Sequence, residues 1–63
     1  MNIDIAKGKW DQLTGKAKQH WGKLTDDEVK QIEGKFENFH GVMQEKYGMT
    51  KEQAQKAFEE LKA

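Results

Sequence analysis

The chain of 63 residues contains no cysteine, no proline and no arginine. The absence of cysteine and the absence of arginine each argue against a particular kind of site. Without cysteine there is neither a disulfide nor a thiolate metal site. The two histidines, His20 and His40, are twenty residues apart with no carboxylate–histidine cluster around them. Zinc sites need three or four such ligands, so we expect no metal and no cofactor, and stability must come from helix packing.

All eleven basic residues are lysines. Arginine is the side chain that pairs bidentately with phosphate and guanine, so its absence argues against sequence-specific recognition of nucleic acid. The chain also lacks the 18 consecutive apolar residues of a membrane span. Residues 1–4 show neither the basic start nor the apolar stretch of a signal peptide. We therefore expect a cytoplasmic protein.

The composition is very polar, with a mean hydropathy of −1.06 and 35% charged residues. Such a composition can indicate disorder, but here the net charge is zero and the apolar residues are large and regularly spaced. A chain of this length forms one domain, which we assign to residues 1–63, and buries only about 60% of its unfolded surface. The core must therefore be small.

Apolar residues recur every three or four positions, which is the period of an amphipathic helix. The first stripe consists of Ala6, Trp10, Leu13, Ala17 and Trp21, and the second of Ile32, Phe36, Phe39, Met43 and Tyr47. A third comprises Ala54, Ala57, Phe58 and Leu61. These positions predict that the aromatic side chains form the core and do not serve as stacking platforms for a ligand.

Capping signals set the expected helix ends. Thr25 with Glu28, and Thr50 with Gln53, have the spacing of a capping box, and Leu24 with Val29 that of a hydrophobic staple. Gly22 and Gly48 follow the stripes where a C-terminal glycine is expected. The predicted helices cover residues 4–21, 26–33, 35–47 and 51–61. The middle two could be continuous across Gly34, although we favour a break there.

The sequence also indicates an internal duplication. Residues 8–22 align with residues 34–48 at an offset of 26. Each repeated unit is predicted to be a long helix, a glycine stop, a capped start and a second helix. The glycines occur seven apart in both halves, at Gly8, Gly15 and Gly22 and at Gly34, Gly41 and Gly48. Seven residues return a helix to nearly the same direction, which predicts that the glycines face away from the core. The predicted fold class is all-α, a small array of three to four helices built from a duplicated helix–turn–helix unit.

No catalytic constellation is recognisable. The acidic run 26–28 falls in the first turn of a helix, where negative charge favours the helix dipole. The histidines are expected to be exposed or half-buried. The sequence offers no nucleophile–base pair and no phosphate-binding glycine loop, so we expect no enzyme and no small-molecule substrate.

The charge is distributed unevenly. Residues 1–24 carry five lysines and two aspartates, a net charge of +3, and residues 25–63 carry six lysines and nine acidic residues, a net charge of −3. This asymmetry could reflect solvated helix faces alone. Alternatively, five lysines of the first half could form a weak basic contact surface, namely Lys7, Lys9, Lys16, Lys18 and Lys23.

Several stretches of this sequence resemble the CsbD-like family of small bacterial general stress-response proteins. They are Gly8-Lys9-Trp10, Leu13-Thr14-Gly15-Lys16, Trp21-Gly22-Lys23-Leu24-Thr25-Asp26-Asp27, Ile32-Glu33-Gly34-Lys35 and Tyr47-Gly48. One departure is Val42, where the family tends to have lysine after the glycine. The resemblance implies a small helical fold, bacterial origin and expression in a general stress response, and it implies no activity or cofactor.

The expected function is therefore that of a non-enzymatic stress-response protein, either a hydrophilic protectant or a weak interaction module, which we expect to be monomeric. The partner is unknown. Two alternatives use the lysine-rich first helix: association with nucleic acid, or binding to an anionic membrane surface.

Overall fold

A computed structural model describes residues 3–62 of the chain. It contains four helices: α1 (Lys7–His20), α2 (Asp26–Ile32), α3 (Phe36–Tyr47) and α4 (Lys51–Lys62). No strand occurs within these residues. The predicted all-α class is confirmed, with helices two and three separate.

The helices pack in a closed ring. α1 lies against α2 and α4, and α3 lies against the same two helices. Phe58 of α4 joins the rings of α1 and α3, with centroids 6.3 Å from Trp10, 5.6 Å from Phe36 and 4.9 Å from Phe39. The amphipathic stripes thus converge on one aromatic core, and the described chain buries no charged or polar side chain.

Tyr47 does not join this core. The sequence placed it on the second stripe, yet 37% of its surface is exposed. It is the last residue of α3, and its ring lies against the loop that follows α1. The prediction that it is a core residue is wrong, because at the end of α3 its side chain contacts Lys23 of the α1–α2 loop and stays partly exposed.

The first helix begins later than predicted. Residues 4–6 are not helical, and α1 starts at Lys7. The reason is tertiary: the Ile5 amide donates a 2.7 Å hydrogen bond to the carbonyl of Gly34, and the Ile5 side chain is buried. These contacts hold the segment extended along the turn between α2 and α3.

Gly34 interrupts the helix between α2 and α3. It has a φ of +79°, and an added Cβ would lie 2.2 Å from the carbonyl oxygen of Ile5. This glycine is buried, so the prediction that all six glycines face away from the core is wrong for Gly34. Gly8, Gly15 and Gly41 do lie on helix faces where an added Cβ meets nothing within 4 Å.

Both predicted capping boxes are confirmed. The amide of Glu28 donates to the Thr25 hydroxyl and the amide of Thr25 to the Glu28 carboxylate, at 3.2 and 2.9 Å. Thr50 and Gln53 make the equivalent pair at 3.2 and 3.0 Å. The helices that follow therefore begin where the sequence indicated.

The two predicted C-terminal glycines differ. Gly48 adopts the left-handed conformation with φ of 64° and ends α3. Gly22 follows the end of α1 without a positive φ, and the capping residue there is Trp21.

Candidate functional surface

A groove runs between α1 and α2. One part of about 360 Å³ is lined by Lys7, Trp10, Asp11, Thr14, Lys30 and Glu33. A second part of about 290 Å³ shares Asp11, Thr14 and Lys30 and continues past Lys18 and Asp26. The lining thus contains three lysines and three carboxylates, so the groove has no dominant sign of charge.

The five lysines of the predicted basic surface do not share one face. Lys7 and Lys18 line the groove towards α2, whereas Lys16 lines a smaller cleft towards α4 with His20 and Glu60. The structure therefore distributes these side chains around α1, on both sides of its buried stripe.

The remaining lysines differ in what they contact. Lys9 is exposed on α1. Lys23 lies beyond the helix, with its Nζ 5.2 Å from the centre of the Tyr47 ring, and its amide donates a 3.2 Å hydrogen bond to the Tyr47 hydroxyl. The Lys23 side chain therefore takes part in holding the α1–α2 loop against the end of α3.

Lys18 is engaged by an acidic residue. It forms an ion pair with Asp26, the first residue of α2. The hydrogen bond and charge of Lys18 hold the pKa of Asp26 below its ordinary value. This pair ties α1 to α2 and reduces the positive charge that Lys18 can present to another molecule.

Glu28 connects the first capping box to α3. One carboxylate oxygen accepts from the Thr25 amide, and the other lies 3.0 Å from Lys46 Nζ. The backbone hydrogen bond from Thr25, followed by the hydrogen bond from Lys46, lowers the pKa of Glu28. Glu28 therefore acts in capping the first turn of α2, which is the role that its position predicted. The pairing with Lys46 was not predicted, since nothing in the local sequence indicates it.

The histidines lie where the sequence placed them. His20 is exposed beside Trp21, with ring centroids 5.6 Å apart, and His40 is half-buried and stacked on Phe36 at 6.0 Å. Across residues 3–62, no three His, Cys, Asp or Glu side chains are grouped closely enough to hold a metal ion.

Asp4 is the residue whose role sequence reasoning missed. Its carboxylate accepts a 2.9 Å hydrogen bond from the amide of Phe36, the first residue of α3. The sequence offered one indirect indication of this role. Lys35 precedes α3 and has no side-chain acceptor, so the cap of α3 had to come from another part of the chain.

The described helices are also too short or too polar to cross a membrane, as judged over residues 3–62. This finding agrees with the composition of the four helices, each of which carries charged residues on its exposed side.

Comparison with known proteins identifies the family. The CsbD-like profile matches residues 4–56. A UPF0337 protein of Bordetella pertussis, strain Tohama I, is 60% identical over 61 residues, which cover 97% of this chain and 92% of that protein. UPF0337 protein YjbJ of Escherichia coli K12 is 54% identical over 56 residues, which cover 89% and 81%, respectively. No solved structure matches the chain significantly. The chain therefore belongs to the CsbD-like family.

Proposed function

We propose that this chain is a non-enzymatic protein of the bacterial general stress response that acts as a hydrophilic protectant in the cytoplasm. A protectant of this kind acts at high concentration, where it must remain dispersed and must not compete for specific partners. The role requires no active site, in keeping with a sequence that offers no nucleophile–base pair.

The observation that carries the proposal is the separation of apolar core and charged surface. Tyr47 is the single large hydrophobic residue exposed within residues 3–62. Contiguous apolar patches are the usual basis of protein association, so a surface without one favours dispersion. The chain has eleven basic and eleven acidic residues, which limits non-specific attraction to polyanions and to polycations alike.

The test is protection of a labile enzyme during drying and rehydration. We expect the enzyme to retain more activity with this protein than with an equal mass of an unrelated globular protein. Trp10→Ala, which should be largely unfolded, serves as a control for the need for the folded core. Equal protection by the unrelated protein would contradict a dedicated protectant role.

A second candidate is weak binding of an anionic partner through the start of α1. The observation in its favour is that Lys7 and Lys9 are exposed and make no ion pair within the described chain. Nucleic acid is the partner to test, because lysine–phosphate contacts release counterions and make binding strongly dependent on salt.

Retention on duplex DNA at low and moderate salt would test this candidate. Lys7→Gln/Lys9→Gln should weaken retention, whereas Lys51→Gln/Lys56→Gln, which removes the same charge from α4, should not. Equal loss with both double variants would indicate an unspecific charge effect. Retention on anionic vesicles but not on DNA would favour the membrane alternative instead.

A further inference from the structure

We propose that residues 3–6 form an N-terminal clasp with two alternative conformations. In the first, seen in the structure, the clasp is extended and docked against the α2–α3 turn. In the second, it detaches and continues α1 as a further helical turn. The inference concerns a conformational device of the fold and is independent of the proposed protectant role.

Three hydrogen bonds and one buried side chain hold the docked clasp. The Ile5 amide donates to the Gly34 carbonyl at 2.7 Å, and the Asp4 carboxylate accepts from the Phe36 amide at 2.9 Å. Lys62, at the end of α4, donates to the Ile3 carbonyl at 3.3 Å. The Ile5 side chain is 6% exposed and belongs to the core. The clasp thus connects the α2–α3 turn, the start of α3 and the end of α4.

The docked clasp supplies the cap that α3 lacks. Lys35 occupies the N-cap position of α3 and makes no side-chain cap. Asp4 fills this role from 32 residues away, placing a carboxylate at the positive end of the helix. Gly34 is needed for the approach, because any Cβ there would collide with the Ile5 carbonyl.

The same arrangement leaves α1 without a cap. Ala6 holds its N-cap position with no side-chain hydrogen bond, and the first turn of α1 contains no acidic residue. If residues 4–6 were helical, Asp4 would lie in that first turn. Ile3 and Ala6 would then extend the apolar stripe that continues through Trp10. Asp4 therefore has two competing uses, one at the start of α3 and one at the start of α1.

Release of the clasp has a predictable structural consequence. It removes the acceptor at the start of α3 and takes Ile5 out of the core beside Trp10. The loss is confined to contacts of the clasp, so opening should need less free energy than global unfolding. Apolar side chains covered by the clasp would be exposed only in this released form.

Amide hydrogen exchange and ¹³Cα chemical shifts measured on the whole chain test the two states. Asp4→Ala removes the cap hydrogen bond of the docked form. In the released form it exchanges a charge–dipole interaction in the first turn for the higher helix propensity of alanine, and these two effects nearly cancel. The variant should therefore raise the exchange rate of the Ile5 amide about fivefold, which corresponds to the roughly 1 kcal/mol of a helix cap. The Ile5 amide is the informative probe, because its own acceptor, Gly34, is unchanged. The ¹³Cα shifts of residues 4–6 should move towards helical values. Asp4→Asn retains a capping oxygen and should leave both measurements near those of the parent.

A variant that locks the docked form provides the opposite test. Ala6 has φ −58° and ψ 145°, which proline adopts, and proline there would keep Ile5 out of the helical region. Ala6→Pro should slow exchange of the Ile5 amide and remove helical character from residues 4 and 5. Faster exchange in Ala6→Pro would overturn the docked geometry. Unchanged Ile5 exchange, or a shift of residues 4–6 towards coil in Asp4→Ala, would overturn the two-state clasp.

Discussion

Trp10 joins two kinds of interaction in one side chain. Its ring is 1% exposed and packs against Phe58, and its indole N–H donates a 3.0 Å hydrogen bond to the carbonyl of Val29. Val29 lies in the last turn of α2, where backbone carbonyls have no partner within the helix. The indole thus fills the core and completes a neighbouring helix end.

Substitution of Trp10 should separate these contributions. Trp10→Ala should cost about 3–5 kcal/mol, which is comparable to the total stability of a domain of this size. Trp10→Phe keeps an aromatic ring but leaves the Val29 carbonyl without its donor, so it should cost less, about 1–3 kcal/mol. Urea denaturation measures both. A Trp10→Ala variant that melts within a few degrees of the parent would contradict the core assignment.

The glycines provide a second residue-scale test. Gly15 and Gly41 lie within helices, with nothing near an added Cβ. Gly15→Ala and Gly41→Ala should each stabilise the protein by about 0.5–1 kcal/mol, because alanine loses less conformational entropy on folding. Gly34→Ala is the contrasting variant and should destabilise strongly, since its φ is positive and its Cβ would meet the Ile5 carbonyl. Thermal melts compare all three, and destabilisation by the first two would show that their faces are packed.

At the scale of the helix, α2 depends on residues outside itself. Its seven residues are too few for a stable isolated helix. Its start is held by the Thr25 box, and its final carbonyls accept hydrogen bonds from Trp10 of α1 and Asn38 of α3. Capping and tertiary contacts therefore hold α2 in its helical conformation.

Removal of either threonine cap should be measurable. Thr25→Ala and Thr50→Ala each remove the acceptor for a first-turn amide, at a cost of about 1 kcal/mol. Chemical denaturation of the two variants gives the values directly. Thr25→Ser and Thr50→Ser retain the hydroxyl and should be close to the parent. Equal stability of the alanine and serine variants would mean that the boxes contribute nothing.

The two boxes should respond differently to acid. The pKa of Glu28 is lower in the folded protein than its ordinary value of 4.5, so the folded state is favoured while this carboxylate is ionised. That stabilisation is present above this value and is lost as the pH falls through the lowered pKa. Gln53, at the equivalent position, does not titrate. Glu28→Gln should therefore preserve the cap and weaken the fall in melting temperature as the pH drops below about 4.5.

Asp26 also contributes to this acid sensitivity, because Lys18 lowers its pKa in the same direction. Asp26→Asn is the matched comparison, since it removes a titrating group without altering the Thr25 box. If the melting temperatures of both variants fall with pH as in the parent, the acid sensitivity arises from other residues of the chain.

At the scale of the whole molecule, the closed ring of helices buries the apolar stripes within one chain. Core residues come from every helix, and the N-terminal clasp closes the ring against α4. Little apolar surface is left for a second copy. We therefore predict that sedimentation equilibrium gives the mass of one chain, 7.3 kDa, up to high concentration. A concentration-dependent dimer would contradict this prediction, and the exposed ring of Tyr47 would then be the first contact to test by substitution.

Much of the fold could be predicted from the sequence because its signals are local. The spacing of Trp10 and Ala17 identifies a buried helix face, and the Thr25 and Thr50 boxes begin helices within three residues of themselves. These features need no knowledge of distant parts of the chain. The all-α class, most of the core and most helix boundaries followed from them, whereas the burial of Ile5 and the exposure of Tyr47 did not.

Only the tertiary structure decided which distant groups meet. Asp4 caps α3 and leaves α1 a turn shorter than its periodicity indicates, and Gly34 is buried because the Ile5 backbone crosses it. The lysines of α1 look like one basic segment in sequence, yet they lie on two sides of the helix because its buried stripe runs between them. Local periodicity sets which face of a helix is apolar, whereas the partner of each remaining polar group depends on contacts between residues far apart in the chain.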